Sequence, residues 1–392
     1  MPAITNIEDL RVLAERRVPR VFYDYADSGS WTEQTYRENS SDFSKIRLRQ
    51  KVAVNMEGRN IATTMVGQDV TMPMALAPVG LLGMQHADGE IHAQKAAEAA
   101  GVPFTLSTMS ICSIEDVANA ASKPFWFQLY VMRDREFAAG LIDRAKAAGC
   151  SALILTLDLQ MIGQRHKDIK NGLGAPPKLT VKNILNIGTK WRWCAGMAST
   201  HRRTFRNIVG HAKGVTDMGT LHDWTSAQFD QSLTWDDIAW IRDRWGGKFI
   251  IKGILDVEDA RTAVKYGADA IIVSNHGGRQ LDGALSSIAM LPSIAAAVGD
   301  QTEVWLDSGI RSGQDILKAL ALGARATLVG RAMAYGLGAM GREGVTSAIE
   351  VIRKELDTTL GLVGRTDIRD LNRDNLIFSR EDPWVTGHNQ PI

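Results

Sequence analysis

The chain has 392 residues, 45% of them hydrophobic and 23% charged, and 45 Lys and Arg against 44 Asp and Glu leave a net charge of +1. That composition suits a soluble globular protein and excludes collagen and wholesale disorder, and no apolar run approaches the roughly 20 residues that span a bilayer. Cys112, Cys150 and Cys194 make neither an even framework nor a C-x-x-C pair, which points to a reducing compartment and away from a zinc or other metal site.

In chain order, Met1 to Arg20 is charged and amphipathic without an apolar signal core, so the expectation is that the chain is not exported. Residues 1–65 precede the first strand-like run and are expected to pack over or under the main fold. Eight short apolar runs then recur: Met72–Val79, Pro103–Ser107, Phe125–Val131, Ala152–Leu157, Phe249–Ile254, Ala270–Ser274, Glu303–Leu306 and Ala326–Val329. They lack polar alternation, as strands buried on both faces do. Between them lie Ala-rich amphipathic stretches, among them Asp88–Ala100, Asp134–Ala148, Asp256–Tyr266 and Ser312–Leu322, followed at or near their ends by Gly101, Gly149, Gly267 and Gly323. Eight alternating units with no sign of a strand-order switch predict an α/β fold of the (β/α)8 TIM-barrel type, with an open doubly wound sheet as the alternative. The chain reads as one barrel domain over 1–392, since such barrels with insertions reach about 400 residues.

One interval is too long. From Ala152 to Phe249 the step is about 97 residues, whereas the other steps run about 20 to 35. The excess, 172–233, reads as an insertion after strand 4. Arg165 to Gly214 carries eleven Lys or Arg and one acid, Asp168, for a local charge of +10 that leaves −9 on the rest. Val181, Ile184, Leu185 and Trp191 share one helical face, as do Phe205, Ile208, Val209 and Ala212, with basic residues between them. Residues 180–213 therefore read as a cationic amphipathic surface for anionic lipid. A lid or a subunit contact is the alternative, and with no nucleic-acid motif present no nucleic acid is expected as partner.

Barrel chemistry sits at the C-terminal ends of the strands. There the sequence places Pro78, Val79 and Gly80; Ser107; Gln128 and Tyr130; Thr156 and Asp158, with Arg165 soon after; Lys252; Ser274 to Arg279; Asp307 to Arg311; and Gly330 with Arg331. Polar groups gathered at one end of buried strands need partners, and a site supplies them. Gly309, Gly330, Arg311 and Arg331 suit a single phosphate held by the loops after strands 7 and 8. Asp307 can accept from sugar-like hydroxyls, Lys252 sets a cation in the barrel mouth, and Gln128 and Thr156 suit a planar heterocycle. The sum is a mononucleotide cofactor. The literal G-x-G-x-x-G at 336–341 lacks an immediately preceding strand and reads as helix. His276, between a buried strand and two glycines, pairs naturally with Asp158 as an oriented base. Arg279 and Arg165 are forks for a carboxylate, and Tyr25 and Tyr130 are phenols within reach of one.

The strings Ser274 to Asp282 (SNHGGRQLD), Asp307 to Arg311 (DSGIR), Phe127 to Tyr130 (FQLY) and Tyr23 to Tyr25 (YDY) closely resemble the FMN-dependent L-2-hydroxy acid oxidase/dehydrogenase family, above all the bacterial respiratory L-lactate dehydrogenases, and the resemblance runs over residues 5–375. It implies FMN as cofactor, His276 as base with Asp158 as its partner, and Arg279 with Tyr25 on the substrate carboxylate. It places Tyr130 on the substrate hydroxyl and Arg165 in support of the carboxylate. Lys252 would sit beside the flavin N1 and O2. Val79, Gly80, Ser107, Gln128, Thr156 and Ser274 would line the ring, and Asp307, Gly309, Arg311, Gly330 and Arg331 would hold the ribityl phosphate. The implied reaction is oxidation of L-lactate to pyruvate, by either a carbanion or a hydride path, in a homotetramer.

Three positions depart from relatives. Leu159-Gln160 follow Asp158 where many have Thr-Pro. Met109 stands where some have Trp, which reshapes the acyl pocket. Gly80 replaces the alanine of typical oxidases, which favours a dehydrogenase passing electrons to a quinone or cytochrome. In a membrane-attached member of the family the segment matching the insertion mediates attachment, so a peripheral position on the cytoplasmic side of the inner membrane is expected. The rival readings are a soluble oxidase that produces hydrogen peroxide, an aldolase using Lys252 as a Schiff base, and a non-catalytic membrane-binding module.

Overall fold

In a computed structural model that describes residues 3–173, 180–212, 215 and 230–378, the eight apolar runs form eight strands. These are β1 (Met74–Leu76), β2 (Thr105–Ser107), β3 (Trp126–Leu129), β4 (Ala152–Thr156), β5 (Lys248–Ile254), β6 (Ala270–Val273), β7 (Glu303–Leu306) and β8 (Ala326–Val329). They pair side by side in parallel from β2 through β8, and β8 pairs with β1. A parallel bridge of Leu76 with Phe104, with the Leu76 N–H donated to the Pro103 carbonyl at 2.8 Å, joins β1 to β2. The ring is thereby a (β/α)8 barrel and not an open sheet. The first run yields only three strand residues because Pro73 and Pro78 flank them, and proline cannot donate to a ladder.

The barrel interior is filled by Ala75, Trp126, Ala152, Ile154, Ile250, Ile272, Trp305 and Leu328, all buried. Trp126 and Trp305 stack at 5.4 Å between ring centroids. A two-stranded hairpin, Thr63–Met65 with Gln68–Val70, plugs the N-terminal end with Met65 and Val70. The N-terminal end of the barrel is thereby closed.

The outer helices begin at side chains that cap them. Ser113, Asp134, Asp256, Ser286 and Ser312 each accept a backbone N–H at a helix N-terminus. Asp88 is the exception. It sits at φ +54° without capping, and its carboxylate instead accepts from Thr200 and pairs with Arg202 at 3.1 Å.

The N-terminal extension packs at both ends: its last residues, 63–65, belong to the plug below, and its helices reach the mouth above. Helix Gln34–Lys45 lies against the loops after β6 and β7. A Cβ on Gly278 (φ +71°) would stand 2.4 Å from the Tyr36 nitrogen, and one on Gly309 (φ +95°) 1.9 Å from the Asn39 carbonyl oxygen. Only glycine meets both demands, positive φ and backbone contact. The G-x-G-x-x-G segment lies in helix Arg331–Met340 and its C-cap, where Gly336 packs against Gly344 of the next helix.

The insertion contains helices Val181–Gly188 and Trp191–Ser199. Its two apolar faces part company. Val181, Ile184, Leu185 and Trp191 are 57–74% exposed, whereas Ile208 and Ala212 are buried in the main core with Phe205 and Val209 packed against it. The expectation that both faces meet lipid is corrected for the second. Asn207 donates to the Ser110 hydroxyl at 2.9 Å and accepts the Ile114 N–H, and Arg202 and Arg206 pair with Asp116, so this part is stitched to the barrel. Among the described residues no helix is long and apolar enough to cross a membrane. Residues 174–179, 213–214 and 216–229 of the insertion lie outside the described residues.

Candidate active site

A cavity of about 750 Å³ opens at the C-terminal mouth of the barrel. Its wall includes Tyr25, Pro78, Val79, Gly80, Ser107, Met109, Tyr130, Thr156, Arg165, Lys252, His276, Arg279, Asp307, Gly309, Arg311, Gly330 and Arg331. Three expected residues stand behind that wall. Asp158 backs His276, Ser274 backs Lys252, and Gln128 is fully buried beside Ser107.

His276 sits at φ +57°, a left-handed conformation, and the turn it opens is pinned by the Gly277 N–H on Ser308 Oγ at 2.9 Å and the Gly278 N–H on Asn275 Oδ1 at 3.0 Å. Its Nδ1 donates to Asp158 Oδ1 at 2.8 Å, which leaves Nε2 as the acceptor. Burial lowers the imidazole pKa below its usual value, and the Asp158 charge only partly opposes this, so the ring is neutral at pH 7. Burial pushes the Asp158 pKa up, but His276 and Lys252 outweigh it and keep the carboxyl ionised. Tyr130 lies face to face with the imidazole at 6.5 Å between centroids, and burial raises its pKa, so it remains a hydroxyl donor.

Arg279 stacks on the Tyr25 ring at 4.6 Å and donates Nη1 to the Tyr25 carbonyl, while its Nη2 is buried without a hydrogen-bond partner. A buried guanidinium donor of this kind is built for a carboxylate. Arg165 donates to the Arg279 carbonyl and to Gln280 Oε1 at 3.2 Å.

Lys252 stands two residues after the interior Ile250 and so faces inward, and a bulge at Lys252/Ile254, with Gly253 at φ +96°, follows it. Its ammonium lies 2.9 Å from Asp307 and donates to Ser274 at 2.7 Å. Burial alone would lower its pKa, but Asp307 and Asp158 prevail and raise it. A lysine held cationic is no Schiff-base nucleophile, which counts against the aldolase reading. Asp307 accepts from Lys252 and the Ser308 hydroxyl and also faces the cavity, so lone pairs remain on its carboxylate for a ligand hydroxyl.

Arg331 donates to the backbone carbonyls of Ala26, Gly277 and Ser28, which leaves two of its five N–H groups for a ligand. Arg311 enters the same end of the cavity. Gln128 Nε2 and Thr156 Oγ1 are buried with no partner. Orphaned donors beside a cavity fit a flat heterocycle rich in nitrogen and oxygen, and two arginines at the far end fit its phosphate. The residues present therefore fit FMN.

Sequence reasoning missed Asp168, Gln280 and Asp27. Asp168 is buried in the wall 3.9 Å from Arg279 Nη2, and burial raises its pKa. Gln280 donates to the carbonyls of Asp158 and Met161 and accepts from Gly163, so it locks the β4 loop to the β6 loop. Its place directly after the His-Gly-Gly-Arg string was the available signal.

The family model for FMN-dependent dehydrogenases matches residues 14–378. The L-lactate dehydrogenase of Ectopseudomonas mendocina (strain ymp) is 46% identical over 380 residues, covering 96% of this chain and 100% of that protein. The crystal structure of the monotopic membrane protein (S)-mandelate dehydrogenase is 37% identical, with a TM-score of 0.91 over 96% of this chain and 100% of that one. A mandelate oxidase structure is 34% identical, with a TM-score of 0.81 over 96% and 98%. A barrel with a neutral histidine held by a buried aspartate, a fixed lysine and a two-arginine cradle stands beside these matches in sequence and fold, and the chain belongs to the FMN-dependent dehydrogenase family.

Proposed function

We propose that this enzyme oxidises a small L-2-hydroxy acid, L-lactate foremost, to the 2-keto acid pyruvate, and that the electrons pass to a quinone or cytochrome rather than to oxygen. The observation that carries the reading is the 2.8 Å His276–Asp158 pair set in one cavity with Arg279, Tyr25, Arg165 and Tyr130. The 46% identity to a protein named L-lactate dehydrogenase supports the substrate.

Arg279 and Tyr25 receive the substrate carboxylate, with Arg165 braced behind them. Tyr130 donates to the hydroxyl oxygen. His276 Nε2 takes a proton from the substrate as two electrons leave it, and Asp158 stabilises the imidazolium so formed. Bound FMN supplies the two-electron acceptor. Lys252, cationic beneath the cavity, opposes the negative charge that arrives there. Val79, Gly80, Ser107, Gln128, Thr156 and Ser274 surround the ring, and Gly309, Gly330, Arg311 and Arg331 hold the phosphate.

The exposed Val181, Ile184, Leu185 and Trp191, flanked by exposed Lys182 and Arg192, support attachment to an anionic membrane surface at the cytoplasmic face. The monotopic relative supports the same reading. The whole chain is read as one barrel domain with its insertion, and family resemblance supports a homotetramer, which sedimentation tests.

The testing experiment is an anaerobic visible spectrum before and after L-lactate. Bleaching of the flavin band is expected. A band unchanged by lactate moves the substrate to larger 2-hydroxy acids, and hydrogen peroxide formed once per turnover in air overturns the acceptor.

A further inference from the structure

Asp27 is a buried carboxylate that the reaction does not use. It lies just past helix Arg20–Ala26 and accepts three phenol hydroxyls, from Tyr23 at 2.7 Å, Tyr36 at 2.7 Å and Tyr335 at 2.6 Å. These tyrosines come from three separate elements: helix Arg20–Ala26, helix Gln34–Lys45 and helix Arg331–Met340 behind β8. Arg11 closes the cluster by donating to the Tyr23 hydroxyl at 2.8 Å.

Two of the rings are floors for the cavity's arginines. The Arg331 guanidinium carbon lies 4.6 Å from the centroid of Tyr36, and that of Arg311 lies 5.7 Å from the centroid of Tyr335. A guanidinium over an aromatic face gains cation–π attraction, which requires the ring to stay put. Each ring is pinned through its hydroxyl, and both hydroxyls end on the same oxygen, Oδ1 of Asp27. One carboxylate thus sets the spacing of two rings and, through them, of two arginines.

We propose that Asp27 is the positioning residue of the phosphate cradle, tuning Arg311 and Arg331 to the FMN phosphate through Tyr335 and Tyr36. The proposal rests on the reading that these two arginines hold that phosphate. The charge state fits. Burial would raise the Asp27 pKa, but the three hydroxyls and Arg331 outweigh it and hold the carboxyl below its usual range. The phenols, raised by burial, stay protonated as donors. Arg11 offsets the Asp27 charge within the cluster, so the two cradle arginines keep their positive charge for a phosphate.

The test is flavin preference. Purified holoenzyme is equilibrated with a mixture of FMN and riboflavin, filtered, and the retained flavins are separated and counted. Wild type is expected to retain FMN over riboflavin. Asp27→Asn puts an amide where three donors converge, so its FMN-over-riboflavin preference should fall about tenfold or more, as for a lost set of charge-assisted hydrogen bonds. Riboflavin retention should be unchanged. An Asp27→Asn protein with wild-type preference overturns the proposal, and so does equal loss of both flavins, which marks general loosening. If Asp27→Asn yields no folded protein, Tyr36→Phe and Tyr335→Phe keep each ring and remove each pin, and wild-type preference in both overturns it. A wild type with no preference between the flavins instead removes the phosphate reading itself, and the proposal with it.

Discussion

The hydroxyl of Tyr25 lies 2.9 Å from the point where a Cβ on Gly80 would stand. The loop after β1 and the N-terminal extension therefore meet inside the cavity, at a residue without a side chain. Gly80→Ala should fold, because the near atom is the end of a side chain, but it must push the Tyr25 hydroxyl aside. The expected result is a KM for L-lactate raised about fivefold, the worth of one displaced hydrogen bond of ~1 kcal/mol. Steady-state kinetics with an artificial dye acceptor measure it, and an unchanged KM removes Tyr25 from carboxylate binding.

His276→Ala should keep its flavin and lose turnover by at least ~10²-fold, as expected for a missing base. Near-normal turnover with the flavin retained would falsify the assignment.

The acid limb of kcat/KM follows the same residue. The folded His276 has a pKa lowered from the ordinary 6.5, and the proposed base is its neutral form. Activity is therefore expected to hold as pH falls through 6.5 and to drop only below it. The linked stability has the same sign. The unfolded chain takes up the proton first, so this contribution is complete above 6.5 and is lost as pH falls through the lowered folded pKa. A pH–rate profile and melting curves between about pH 5 and 8 check both, and an acid limb centred above 6.5 contradicts the neutral-base account.

Replacing Val181, Ile184, Leu185 and Trp191 together by serine should release the protein from vesicles rich in phosphatidylglycerol and spare turnover with the dye. Cutting out the whole of 180–213 is a poorer test, because Ile208 is fully buried and Asn207 ties the β2 loop to the insertion. Vesicle flotation reads the result, and persistent binding of the serine variant sinks the membrane reading.

Lys252→Met should destabilise the fold by about 3–5 kcal/mol, since it strands the buried Asp307 charge without its partner. Chemical denaturation measures this. A loss near zero would mean that Asp307 finds water.

Much of this protein was legible along the chain. Buried parallel strands declare themselves as unbroken apolar runs such as Ala152–Thr156 and Ala270–Val273, and barrel topology sends their C-terminal ends to one place. His276, Asp158, Lys252 and Arg279 could therefore be brought together from chain order. Local periodicity failed where partners are remote. The stretches 181–191 and 205–212 carry similar apolar faces, yet one is exposed and the other buried, because only the second has Asp116 and the β2 loop to dock against. Asp27 and Tyr335 stand 308 positions apart, and nothing in the neighbours of either announces a three-phenol cluster. What the amino-acid sequence alone determined was the barrel and the polar residues gathered at its C-terminal mouth, since each depends on short-range pattern and chain order. What only the tertiary structure decided was which charges are spent on one another and which remain for a ligand, because ion pairs and orphaned donors are set by distance in space.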